Sequence, residues 1–117
     1  MSEFTIYHNP RCSKSRQTLA LLQENGIEPT VVEYLKTPPS VNRLKSIVKA
    51  LAISPRDLLR TKEADYKEAG LDDSSLTKEQ ILKLMVAYPK VIERPIVTRG
   101  DRAVVGRPPE NVLKLID

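Results

Sequence analysis

Four residues near the start of the chain, Phe4 to Tyr7, are apolar and rich in strand formers. They run directly into His8-Asn9-Pro10-Arg11-Cys12, where asparagine and proline mark a loop. From Ser13 to Asn25 the residues favour helix, with Ser15, Leu19 and Leu22 on one stripe and Gly26 placed to end it. Thr30 to Tyr34 then reads as a second strand. This opening constrains the fold more than any other stretch, because a strand, a helix and a strand in immediate succession favour parallel pairing across a helical crossover. Cys12 falls at or just before the start of that crossover helix.

The periodicity changes between Thr37 and Pro89. Val41, Leu44, Ile47, Val48 and Leu51 recur at helical spacing behind Ser40, a plausible N-cap. Ser54-Pro55 opens a short helix through Leu59, and a polar helical stretch runs from about Lys62 to Ala69 before a turn at Gly70. Thr77-Lys78-Glu79-Gln80 has the form of a capping box, and Ile81 to Val86 continue the helix until Pro89 stops it. Ile96-Val97-Thr98 and Arg102 to Val105 flank Arg99-Gly100-Asp101 as an antiparallel hairpin, whose arginines read as surface residues. Pro108-Pro109 begins a last helix ending at Ile116. The chain therefore reads as an α/β protein with a mixed sheet and a helical lobe in its middle, and its 117 residues suit one domain.

Composition removes several classes of function. The excess of 19 basic over 15 acidic residues is spread thinly, with no basic tail, and four tyrosines, one phenylalanine and no tryptophan offer few platforms for stacking bases. No nucleic-acid partner is expected. No apolar run approaches the ~18 residues a membrane helix needs, and Glu3 interrupts a potential signal peptide. The expectation is a cytoplasmic protein without a membrane partner. One cysteine excludes an intramolecular disulfide, which suits the same compartment.

That cysteine is the main candidate for chemistry. Thiolates, not thiols, act as nucleophiles. A helix N-terminus presents unpaired backbone N–H groups, and Arg11, Lys14 and Arg16 add positive charge, so Cys12 reads as a nucleophile rather than as an inert buried thiol. Ser15 stands where a dithiol oxidoreductase has its second cysteine, so an outside thiol must resolve any Cys12 adduct. Two readings of Ser15 stand: a hydroxyl bonded back along the helix, or one donating to the Cys12 sulfur. His8 is likewise either a structural strand-end residue or a group that polarises the thiolate. A Cys-x5-Arg anion loop is excluded because position 18 is Thr, so any oxyanion beside Cys12 must be held by distant arginines.

Three motifs together carry a resemblance: His8-Asn9-Pro10-Arg11-Cys12-Ser13-Lys14-Ser15-Arg16, then Glu93-Arg94-Pro95-Ile96, then Gly106-Arg107-Pro108-Pro109. In that order, over nearly the whole chain, they resemble the ArsC-type, glutaredoxin-dependent arsenate reductases, most closely the YfgD-type branch. The resemblance implies a thioredoxin-like fold at 1–36 and 90–117 with a helical insertion at 37–89, in one ArsC-like domain over 1–117. It implies that Cys12 is the catalytic nucleophile and that Arg60, Arg94 and Arg107 bind the arsenate oxyanion and its adduct; beside them His8, Ser15 and Arg16, read from the residues, are the candidates to support the thiolate. Taken singly, each of these arginines reads as an ordinary surface group. It also implies a cis-proline at Pro95, glutathione as cosubstrate, glutaredoxin as protein partner, no bound cofactor, no metal and a monomer.

Two features depart from the well-characterised reductases: Ser13-Lys14 replaces Gly-Thr, and the chain stops at Asp117 without their longer C-terminal tail. Neither removes a catalytic group, but both leave the substrate open. A glutathione-dependent thiol oxidoreductase acting on another substrate is one alternative. An Spx-like transcription regulator that docks on RNA polymerase is another, although its usual switch is a Cys-x-x-Cys pair and Ser15 breaks that pattern.

Overall fold

The computed structural model describes residues 3–116, in two compact units: Met1–Thr37 with Arg94–Asp117, and Pro38–Glu93. The first unit holds all four strands, β1 (Phe4–Tyr7), β2 (Thr30–Val32), β3 (Ile96–Arg99) and β4 (Arg102–Val105), in the order β2-β1-β3-β4. β1 pairs parallel with β2, register Ile6 to Val31, and antiparallel with β3, register Ile6 to Val97. The crossover between β1 and β2 is α1 (Ser13–Glu24). This is the mixed α/β sheet expected, thioredoxin-like in its β-α-β opening and its β-β close.

β1 is central and buried on both faces. Phe4 and Ile6 join Leu22 of α1, Val97 of β3, and Val112 and Leu115 near the C-terminus in one core, each at most 6% exposed. Burial of each such side chain contributes about 1.5–3 kcal/mol. The β3–β4 turn is two residues, with Gly100 at φ +58 in its first position, where a two-residue hairpin favours glycine.

Three local expectations are corrected. β2 ends at Val32 rather than Tyr34: the ladder closes with Tyr7 opposite Val32 and the His8 N–H on Val32 O, after which Lys36 and Thr37 N–H both turn back onto Glu33 O. The C-terminal helix is a 3-10 helix over Pro109–Leu115. Its buried residues Pro109, Val112 and Leu115 recur every three positions, which matches three residues per turn rather than 3.6. Arg99 is not a solvated turn residue. Its guanidinium lies 4.9 Å from the Phe4 ring centroid, pairs with Glu3 at 2.5 Å and donates to Leu115 O at 2.6 Å.

The second unit is helical: α2 (Val41–Leu51), a 3-10 turn at Pro55–Leu58, α3 (Ala64–Glu68), α4 (Lys78–Ala87) and a 3-10 turn at Pro89–Val91. The sequence specifies its helix starts. Ser40 Oγ accepts from Arg43 N–H, and Thr77 and Gln80 form a reciprocal capping box. Leu44, Ile47, Leu58, Leu71, Ile81, Leu82, Met85 and Val91 are buried. After the Pro55–Leu58 turn, Leu59 is extended and bridges Ile92, with Arg60 N–H on Val91 O at 2.7 Å and Glu93 N–H on Leu58 O at 2.8 Å. Among the described residues no helix is long and apolar enough to cross a membrane.

Candidate active site

Cys12 is the N-cap residue of α1, extended at φ −91 and ψ 122, and its sulfur makes no capping hydrogen bond. It is half-buried, and the first turn of α1 contains no acidic residue. The N-terminal pole of the helix is therefore open toward the thiol, with the partial positive charge of its unpaired N–H groups. The loop before it is tightly bonded. Cys12 N–H donates to Asn9 O at 3.0 Å, Arg11 N–H to Asn9 Oδ1 at 3.0 Å, and Arg16 Nη1 to Pro10 O at 2.9 Å.

Beneath that loop, fully buried Ser15 places its Oγ 2.6 Å from His8 Nδ1 and accepts Asn9 N–H at 3.1 Å. Its hydroxyl is thus spent on His8 and Asn9, neither along the helix nor on the Cys12 sulfur. Burial pushes the His8 imidazole below its ordinary pKa; Glu33 pulls it up, and Arg16 lowers it further. Through Ser15, His8 braces the loop.

Arg107, 95 positions from Cys12 in sequence, brings its Nη2 to 3.8 Å from Cys12 Sγ. Its Nε donates to Arg94 O at 2.7 Å, so the Arg94 backbone helps aim the Arg107 fork. Two cis peptide bonds shape this segment, the expected Arg94–Pro95 and, unforeseen, Arg107–Pro108. In the first unit Arg107 thus reaches Cys12 with its Nη2 and the Arg94 carbonyl with its Nε. Arg60 belongs to the second unit, where its half-buried guanidinium pairs with Glu63 at 2.7 Å.

Two positions to which sequence reasoning gave no site role set this geometry. Gly106 N–H donates to Pro95 O at 2.8 Å, and a Cβ there would lie 2.6 Å from Thr18 Oγ1 and 2.8 Å from Pro95 Cγ. Gly26, Gly70 and Gly100 all have positive φ. Gly106 is instead required by close approach, and it carries Arg107 to the thiol. Thr18 is fully buried and donates to Lys14 O at 2.8 Å, so position 18 has no room for an arginine. The other position is Asn9, whose Asn-Pro pairing was a legible turn signal.

The ArsC family pattern matches residues 7–115. The chain is 54% identical over 112 residues to the uncharacterized protein YfgD of Escherichia coli strain K12, covering 95% of this chain and 94% of that protein. It is 49% identical over 112 residues to the arsenate reductase of Haemophilus influenzae, covering 95% and 97%. Among solved structures it is similar to the arsenate reductase from Vibrio cholerae, with a TM-score of 0.93, 49% identity and 97% of each chain covered. With its strand order, its thiol at a helix start and its arginines in the matching motifs, the chain belongs to the ArsC family.

Proposed function

We propose that this protein is an arsenate reductase that uses Cys12 as its nucleophile and glutathione with glutaredoxin as its reductants. The observation that carries the reading is the Arg107 guanidinium 3.8 Å from a sulfur at an open helix N-terminus, an arrangement suited to a tetrahedral oxyanion in contact with a thiolate. In this reading the Cys12 thiolate attacks As(V), an S–As bond forms, and one arsenate oxygen leaves as water or hydroxide. Arg107 and Arg94 stabilise the crowded oxyanion, and Arg60 is the third ligand that the family resemblance implies.

Glutathione thiolate then attacks Cys12 Sγ. The S–S bond forms as the S–As bond breaks, its electron pair passes to arsenic, and arsenite leaves as As(III). The Cys12–glutathione disulfide is reduced by glutaredoxin, because Ser15 stands in place of an internal resolving thiol.

The test is steady-state turnover of arsenate with glutathione, glutaredoxin and a coupled NADPH readout. Arsenate-dependent NADPH oxidation that is lost in Cys12→Ser, with the far-UV spectrum unchanged, is the expected result. Glutathione-dependent turnover of a small disulfide with none of arsenate would move the assignment to a thiol oxidoreductase of another substrate.

A further inference from the structure

The loop between β1 and α1 turns on one side chain. Asn9 is 8% exposed, and its backbone and side-chain oxygens take the next two free amides, Arg11 N–H on Oδ1 and Cys12 N–H on the carbonyl, each at 3.0 Å. Its own N–H is anchored at 3.1 Å to Ser15 Oγ, which is fully buried against His8. His8 is in turn tied to β2 by its N–H on Val32 O at 2.8 Å. A continuous line of hydrogen bonds thus runs from the sheet through His8, Ser15 and Asn9 to the Cys12 amide. We infer that Asn9 is the positioning residue for the nucleophile, fixing through this turn where the Cys12 sulfur lies relative to the Arg107 guanidinium; the inference rests on the reading of Cys12 as nucleophile.

The residue type fits the task. Asparagine can bond the amide two residues on while its carbonyl takes the amide three residues on, and Pro10 supplies a pre-set φ between them. Among the described residues no other side chain is seen to accept from the Arg11 or Cys12 amide: the Cys12 sulfur caps nothing, Ser15 takes the Asn9 amide, and Arg16 donates to the Pro10 carbonyl. Truncating Asn9 frees the part-buried amide of Arg11, an exposed residue, and water replaces the lost acceptor. The structural loss is therefore small, while the sulfur loses its register with Arg107.

Asn9→Ala, Asn9→Ser and the wild-type protein are compared by arsenate turnover, melting temperature and amide hydrogen exchange at Arg11 and Cys12. In Asn9→Ala, kcat should fall roughly tenfold to a hundredfold, as misplacement of a reacting group on the ångström scale produces. The melting temperature should shift by no more than about 4 °C. Exchange at the Arg11 and Cys12 amides should quicken roughly tenfold, with amides late in α1 unchanged. Asn9→Ser, whose hydroxyl makes a weaker turn of the same kind, should recover part of kcat.

Wild-type kcat in Asn9→Ala, or a Cys12 amide exchanging at the wild-type rate, overturns the positioning role. Equal kcat losses in the Ala and Ser variants with a matching drop in melting temperature overturn it too. A wild-type protein that reduces no arsenate defeats the functional reading instead, and amide exchange then decides Asn9 alone.

Discussion

Arg107 reaches the Cys12 sulfur and His8 holds Ser15 beneath the loop, and each makes a separate prediction. Replacing Arg107 by Lys keeps the charge but removes the planar fork that reaches both the Arg94 carbonyl and the sulfur. A charge-assisted hydrogen bond contributes about 1.5–3 kcal/mol, so Arg107→Lys, Arg94→Lys and Arg60→Lys should each lower kcat/KM for arsenate roughly tenfold to a hundredfold. Arg102→Lys is the control, since Arg102 is exposed and its Nη2 donates to Lys114 O far from any reacting group. Arg99→Lys would be a poor control because it breaks the Phe4, Glu3 and Leu115 contacts together.

His8 is the single histidine of the chain, and burial holds its folded pKa below its ordinary 6.5. Between those two values the unfolded chain binds a proton that the folded chain does not, so stability is complete above about pH 6.5 and falls as pH drops toward the folded pKa. Asp73 and Glu79 are held below the carboxylate range by Ser75 and Lys45, so their titration lies at lower pH. Urea unfolding at pH 7.5 and pH 5.5 should therefore show lower stability at the acid end, and His8→Asn should flatten that difference. A wild-type stability independent of pH across this range would contradict the assignment.

At the level of elements, the helices were legible because their starts are written locally, in Ser40 and in the Thr77–Gln80 box. The end of β2 was not. Tyr34 is 1% exposed and strand-forming by type, but a turn closing on Glu33 O, not a ladder, holds the chain where it is buried. The 3-10 form of the last helix was also hidden, since periods of 3.0 and 3.6 separate poorly over seven residues.

The junction of β4 with α1 gives a prediction at this scale. In Gly106→Ala the new methyl meets Thr18 Oγ1 and Pro95 Cγ, a hydroxyl already bonded to Lys14 O and a ring, neither of which yields easily. Overpacking of this kind costs about 1–3 kcal/mol, and relief by moving β4 also moves Arg107. The melting temperature and kcat should both fall, and Thr18→Ala in the same chain should restore part of each, a coupling that a double-mutant cycle measures. Additive losses would show that the two residues do not share the contact.

For the molecule as a whole, local patterns showed that Cys12 begins a helix, yet nothing local showed Arg107 beside it. Their contact spans 95 positions, and only the motifs shared with a family brought the two into one reading. Glu63 as the partner of Arg60 was equally invisible, because an arginine and a glutamate three apart on a mostly exposed segment look like any surface pair. The net charge of +4 is spread along the chain, so anion selectivity has to come from the site rather than from a global field. Guanidinium groups recognise a tetrahedral oxyanion by shape and charge, which arsenate and phosphate share. Discrimination then rests on the reaction, since a thiol reduces As(V) while phosphate resists both thiol substitution and reduction. Phosphate should accordingly raise the KM for arsenate without lowering kcat, and should itself consume no NADPH in the coupled assay. If the Arg107 fork binds both anions, as proposed, Arg107→Lys should raise the inhibition constant of phosphate in step with its loss of kcat/KM for arsenate. Steady-state inhibition kinetics decide the point: a fall in kcat at saturating arsenate would place phosphate at a second site and remove the arginines from substrate binding.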